Sequence, residues 1–248
     1  MRYLWTLFLA TSCFLRADVL SDLRSTLTSF DGQEPIAAAF SYEFLNRNGE
    51  DDKERTEAGK ATARVTESPD GISITWTPDQ VQAAKAPPSA DKNETAPKVN
   101  VRRAMDSINV SMLSDHLNAA PRIRQILEKA ELKEEKSELC DGQPARLLVL
   151  KLNEKLPKYV KEMDCTVKLW LDSNGIPLAA QSRTWAKGRA FVVFSFEHTE
   201  TEEWRFKSIG HRLLVISHVK ESDANGTGTK VHNKAQTTLA LSDGSPKP

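Results

Sequence analysis

The sequence predicts a mainly β (α+β) protein: a curled antiparallel sheet, or open half-barrel, with a lid of short helices. Three observations carry that prediction. Period-two alternation recurs along the chain, broken by Gly-containing turns about 8–12 residues apart. Two segments instead repeat at helical spacing, one near the start and one in the middle. A sheet of roughly ten strands curls, and the hollow of the curl is where helices can bury their apolar faces.

The elements follow in order. Residues 1–17, MRYLWTLFLATSCFLRA, read as a secretory signal peptide. Arg2 supplies the positive start, an apolar stretch follows to Leu15, and Ala17 is the small residue at the cut. The stretch is too short to span a membrane. Export to a periplasm is therefore expected. Ala10-Thr11-Ser12-Cys13 offers the alternative of a lipoprotein signal, with Cys13 lipidated and the chain membrane-anchored. No later apolar run suits a membrane span, which predicts a soluble mature chain.

Residues 18–241 then read as one domain. Asp18 caps a helix on which Val19, Leu20, Leu23, Leu27 and Phe30 share a side. Phe40, Tyr42 and Phe44 begin the alternating strands, with a charged tip at 48–52 and a return strand over 56–66. Ser68-Pro69-Asp70-Gly71 is a turn, and Ile72, Ile74 and Trp76 form the next face until Pro78 ends it. Residues 81–98, rich in Pro, Ala and charge, read as a solvated excursion. Residues 111–130 read as the helical lid, in two pieces with Pro121 in the first turn of the second.

Weak alternation over 131–139 turns at Asp141-Gly142 into the strong strand 146–152. The strand 165–172 turns at Asn174-Gly175, the clearest hairpin signal of the chain. Ile176 to Trp185 follows, with a turn expected at Lys187-Gly188. Strands over 190–198, 204–208, 213–219 and 230–241 complete the series. Residues 242–248 read as a disordered tail.

Of the 248 residues, 34 are Lys or Arg and 34 are Asp or Glu, so the formal net charge is zero. Removing residues 1–17, which hold Arg2 and Arg16 and no acid, leaves −2. Such a body has no surplus of positive charge with which to bind nucleic acid.

Motifs for catalysis are missing. There is no H-E-x-x-H, no G-x-S-x-G and no P-loop. Of two S-x-x-K matches, Ser89 to Lys92 lies in the Pro-rich excursion, and Ser217 to Lys220 lies on a strand that points the two side chains to opposite faces. The five histidines, His116, His198, His211, His218 and His232, show no zinc spacing. His116 reads as a satisfied, partly buried histidine, and Glu197, Glu200, Glu202 and Glu203 as a solvated acidic edge. Asn93, Asn109 and Asn225 head sequons that matter only in a glycosylating host. No enzyme, no cofactor and no metal site is expected.

Loss of residues 1–17 removes Cys13 and leaves Cys140 and Cys165. The residues leave two states open: a Cys140–Cys165 disulfide, or two free thiols. The hairpin reading puts them at opposite ends of a strand pair, beyond the reach of about 7 Å for bridging.

What remains is apolar surface. Phe40, Tyr42, Phe44, Ile72, Ile74, Trp76, Val192, Phe194 and Phe196 lie on single strand faces, and Leu113 and Leu117 on the lid. They line either a filled core or a hydrophobic groove for acyl chains.

The order of a signal peptide, a short helix, early strands, a helical block and then VKLWLDSNGIPLAAQS with a run of hairpins resembles the periplasmic lipoprotein-sorting proteins of the LolA-like family. Leu169-Trp170-Leu171-Asp172 followed by Asn174-Gly175-Ile176-Pro177-Leu178 carries the motif, over about residues 165–182. The resemblance implies an open barrel with a helical lid that binds lipid or lipoprotein acyl chains without catalysis and hands them to a membrane-anchored receptor. The chain departs from typical carriers in its length, its 81–98 excursion and its tail. It presents no position onto which a receptor-contact residue can be carried. The alternative is a periplasmic interaction or sensor module with a closed core and no lipid ligand.

Overall fold

The alternating segments pair into one antiparallel sheet. The computed structural model describes residues 19–32, 34–49, 55–86, 98–190, 194–226 and 229–242, with Ala190 and Phe194 as backbone alone. The signal segment with Cys13, the Asp18 cap, the hairpin tip at 50–54, residues 87–97, Val192 and the tail from 243 lie outside the described residues.

Helix α1 covers residues 19–28. Strands β1 (Ile36–Gly49), β2 (Arg55–Ser68) and β3 (Gly71–Trp76) follow. Then come α2 (Pro78–Lys85), the two-residue β4 (Lys98–Val99), α3 (Val101–Ser107), α4 (Val110–Leu117) and α5 (Ala120–Glu128). The remaining strands are β5 (Ala130–Cys140), β6 (Gln143–Leu152), β7 (Val160–Leu171), β8 (Pro177–Ala190), β9 (Phe194–Ile209), β10 (Arg212–Gly226) and β11 (Thr229–Leu241).

The strand order is β3-β2-β1-β11-β10-β9-β8-β7-β6-β5, with β4 parallel to β2. From β5 to β11 each strand pairs with its successor, and β11 then pairs with β1 from Ala38↔Leu241 to Gly49↔Lys230. β3 and β5 end the sheet without pairing to each other, so it stays open.

The helices cover the concave face in two groups. Leu23 and Leu27 of α1 and Ile123 and Leu127 of α5 pack on Leu148, Leu150, Leu169 and Leu171 of β6 and β7. Ala104 of α3 and Leu113 and Leu117 of α4 pack on Phe40, Phe44, Ala61, Ala63 and Val65 of β1 and β2. Each large side chain so buried contributes about 1.5–3 kcal/mol. The start of β10 joins the groups: Leu213 belongs to the first and Leu214 to the second, and neither is exposed.

Several expectations are corrected. Within the expected solvated excursion, residues 81–85 are helical with no side chain buried, because Thr77 caps the amide of Gln80 and Pro78 opens the first turn. A helix forms at 101–107, where the Asn100 side chain accepts from the Arg103 amide. Lys187-Gly188 is not a turn; both residues lie inside β8, opposite Glu197 and Phe196. Gly188 serves a close approach there, since a Cβ would overlap the Tyr159 carbonyl oxygen and the Phe196 ring. The expected strands at 190–198 and 204–208 are one strand, β9, and the acidic residues between them continue its ladder.

Gly59 is a second close approach. A Cβ on it would overlap the Asn100 carbonyl oxygen and the Phe44 ring, where the chain into α3 crosses β2. The Asn100 amide also donates to the Ala58 carbonyl at 2.8 Å. We expect Gly59→Ala to cost about 1–3 kcal/mol through overpacking. Urea unfolding measures this, and an unchanged midpoint would show that the crossing yields freely.

Candidate functional site

The concave face positions the apolar residues singled out in the sequence. Register sets Phe40 opposite Ala63, Tyr42 opposite Ala61 and Phe44 opposite Gly59, while Val65 faces Ile74 and Ala63 faces Trp76. Successive pairs two apart share a face. Phe40, Tyr42, Phe44, Ile72, Ile74, Trp76, Leu113 and Leu117 therefore meet in one cluster. Phe40 and Leu113 are fully buried, and Tyr42, Ile72, Ile74 and Trp76 are half-buried around them. The structure does not bring Phe196 to this cluster; it lies half-buried toward the far end of β9, opposite Gly188 and Gly226. Val192 and the Phe194 side chain lie outside the described residues.

A polar row crosses the middle of the same face, which sequence reasoning missed. Register aligns Thr237 on β11, His218 on β10 and Trp204 on β9. Next to them Lys220 faces Glu202, and Ser222 faces Glu200. His218 Nε2 donates to Glu202 at 2.8 Å, and the Lys220 ammonium lies 2.7 Å from Glu200 and 3.4 Å from Glu202. The Trp204 indole stacks on the His218 ring at 5.1 Å and 2°. His116 reaches the row from α4: its Nδ1–H donates to the Met112 carbonyl at 2.8 Å, so its Nε2 accepts from the Thr237 hydroxyl at 2.7 Å. Its ring lies 6.0 Å from that of His218 and edge-on to Phe40 at 4.9 Å.

Electrostatics set the protonation states. Burial pushes the Glu202 carboxyl up, but the His218 hydrogen bond and the Lys220 charge outweigh it and hold it well below the usual range. Burial works to discharge Lys220, yet Glu200 and Glu202 keep its ammonium protonated above the usual value. Burial alone dominates at His116 and lowers it to about 4, so the ring is neutral at pH 7. The row thus offers fixed charge pairing. The expected solvated acidic edge is corrected here: Glu200 and Glu202 point inward and are paired, because period-two alternation continues through the acidic run. The sequence already allows His198 and Glu200 one strand face, and reading FSFEHTETEEW straight through at that period extends the face to Glu202 and Trp204.

Among the described residues no cluster of three or more His, Cys, Asp or Glu side chains is arranged to hold a metal ion. Cys140 and Cys165 are free, buried thiols rather than a disulfide. Cys140 closes β5 at its turn with Gln143, whereas Cys165 lies beyond Thr166, the partner of Lys151 at the other end of β6. Burial raises both thiols, and Cys165 accepts from the Thr184 hydroxyl at 3.2 Å, which suits inert packing. Away from the concave cluster, a cleft of about 960 Å³ opens between α1 and β5. No helix among the described residues is long and apolar enough to cross a membrane. No family model and no curated protein matches the chain, so the resemblance to the LolA-like family rests on element order and the 165–182 segment alone.

Proposed function

We propose that this is an exported, non-catalytic protein that binds lipid or lipoprotein acyl chains between its concave sheet face and its helices, in lipoprotein sorting or carriage. One observation carries the reading: an open sheet presents a concave face, apolar over β1 to β3, that among the described residues is covered by short helices. α3, α4 and α5 are seven to nine residues long. Helices of that length are not stable alone and hold their place through packing. An acyl chain that replaces Leu113 and Leu117 against Phe40 and Phe44 keeps the face dry while α3 and α4 lift. Hand-over to a membrane-anchored receptor fits a carrier that releases its load by re-seating those helices.

Native mass spectrometry of the exported protein tests this. Bound lipid masses, and uptake of a palmitoyl probe by the stripped protein, are the expected result. A clean apo mass with no uptake would sink the proposal. The complete burial of Phe40, Val65 and Leu113 favours a second reading, a closed-core interaction or sensor module. Capture of a membrane partner by lipid-free protein, together with no acyl uptake, would select it.

A further inference from the structure

The two ends of the sheet are treated differently. Along β2, beyond the short β3, the edge is covered: the Thr62 amide donates to the Gln80 side chain, the Asn100 amide to the Ala58 carbonyl, and β4 pairs with residues 57 and 58. Along β5 nothing among the described residues plays that part. β5 pairs with β6 on one side and ends the sheet on the other. From Lys133 to Leu139 every residue of β5 is exposed.

The cleft of about 960 Å³ adjoins β5 on its α1 side, over the end of the β5–β6 hairpin. The segment 135–139 with residues 144–146 of β6 forms one wall, Asp22, Leu23 and Thr26 of α1 form the other, and the 172–175 turn closes an end. Its volume lies at the upper end of the ligand-pocket range of about 300–1,000 Å³. On its side away from β6, β5 presents backbone donors and acceptors unpaired among the described residues, and an added strand would lie about 4.8 Å away. Leu139, 64% exposed, stands at the wall as an apolar seat.

Charge selects the occupant. The lining carries Asp22, Glu135, Glu138 and Asp172 against Lys136 and Arg146, a net of −2. Both cations are already engaged, Lys136 with Glu134 and Glu138 and Arg146 with Glu135. β5 as a whole is also −2, with Glu131, Glu134, Glu135 and Glu138 against Lys133 and Lys136. That charge repels an apolar strand and a second copy of β5, and it favours a basic one. We propose that the β5 edge is a docking strand for an extended, cationic peptide segment of a partner, which adds to the sheet on the side of β5 away from β6, next to the acidic cleft.

Hydrogen exchange on the full chain tests the assignment, with a capped peptide of alternating Lys and Val as the probe and alternating Glu and Val as the control. The Lys peptide should slow exchange of the 134–139 amides about tenfold or more, and the Glu peptide should leave them unchanged. Reversing two exposed charges in Glu135→Lys/Glu138→Lys should weaken the Lys peptide by about tenfold and favour the Glu peptide. Glu138→Gln should act in the same direction with smaller amplitude, and serves if the double variant does not fold. Unchanged 134–139 exchange overturns the proposal, as does protection spread over the acidic surface and indifferent to these variants.

Discussion

Replacing Arg212 with methionine should lower the unfolding free energy by about 3 kcal/mol, at the low end of the cost of orphaning a buried charge. Arg212 opens β10 and is 3% exposed. Its Nε donates to the Glu34 carbonyl at 2.7 Å, and Nη1 donates to the Glu67 carboxylate of β2 and to the Leu117 carbonyl at 3.4 Å. One side chain thus ties the approach to β1, the end of β2 and the last turn of α4 to the middle of the sheet. Its charge also suits the negative C-terminal end of α4. Methionine fills much of the space but leaves three acceptors without their donor, each costing about 1–3 kcal/mol if water cannot reach it. Glu67 keeps partial access to water, with 24% of its side chain exposed, which sets the total toward the low end. For a chain of this length each kcal/mol moves Tm by about 2–4 °C, so a fall of roughly 6–12 °C is expected. Adding Glu67→Met should restore part of it, because losing both partners of a buried pair costs less than losing one. A Tm within about 2 °C of wild type for Arg212→Met would show that the carbonyls find other donors.

The sheet was legible in the sequence where one face is apolar. Phe40, Tyr42 and Phe44 announced β1, Asn174-Gly175 announced the β7–β8 turn, and Pro121 marked the start of α5. Three kinds of feature were not legible. Gly188 carries the same letter as a turn glycine, and only its neighbour Tyr159 reveals that it serves a close approach. The β1–β11 pairing joins distant segments and leaves no local signal. The polar row was hidden because Glu200 and Glu202 look solvated until register sets Ser222 and Lys220 against them. Phe40, Tyr42, Phe44, Ile72, Ile74, Trp76, Leu113 and Leu117 do cluster, whereas Phe196 stands apart, and periodicity does not say how tightly a helix fills the face it covers. Arg212 was missed for the reverse reason: a lone arginine after Gly210-His211 reads as a loop charge, and its partners lie on β2, on α4 and in the approach to β1.

Acid should loosen the α4 attachment, and His116 sets the window. The ring is 6% exposed, and neither of its hydrogen bonds goes to a carboxylate. Thr237 on β11, His218 on β10, Phe40 on β1 and the Met112 carbonyl of its own helix face it, and Glu202 and Lys220 lie behind His218. Folded His116 takes its proton at about 4, against 6.5 for the ordinary side chain. Between those values the unfolded chain binds more protons than the folded one, so stability rises with pH. Each pH unit is worth about 1.4 kcal/mol, and about 3 kcal/mol is lost as pH falls from 6.5 to 4. Glu202 extends the loss further into acid: its folded carboxyl is held low, so its contribution is present above 4.5 and fades below it. The exposed His211 works in the opposite sense, being raised by its hydrogen bond to the Ser29 carbonyl and by Glu34. A comparison of two chains separates these contributions. Denaturant unfolding from pH 7 to 4.5 should show a slope for wild type that His116→Gln reduces by nearly one proton per molecule. The substitution leaves Glu202 and His211 untouched, so their share is common to both curves. Parallel curves would mean that the charged ring is accommodated within the folded cluster. If the slope does flatten, the cost of charging the buried His116 between α4 and β11 is what acid exploits.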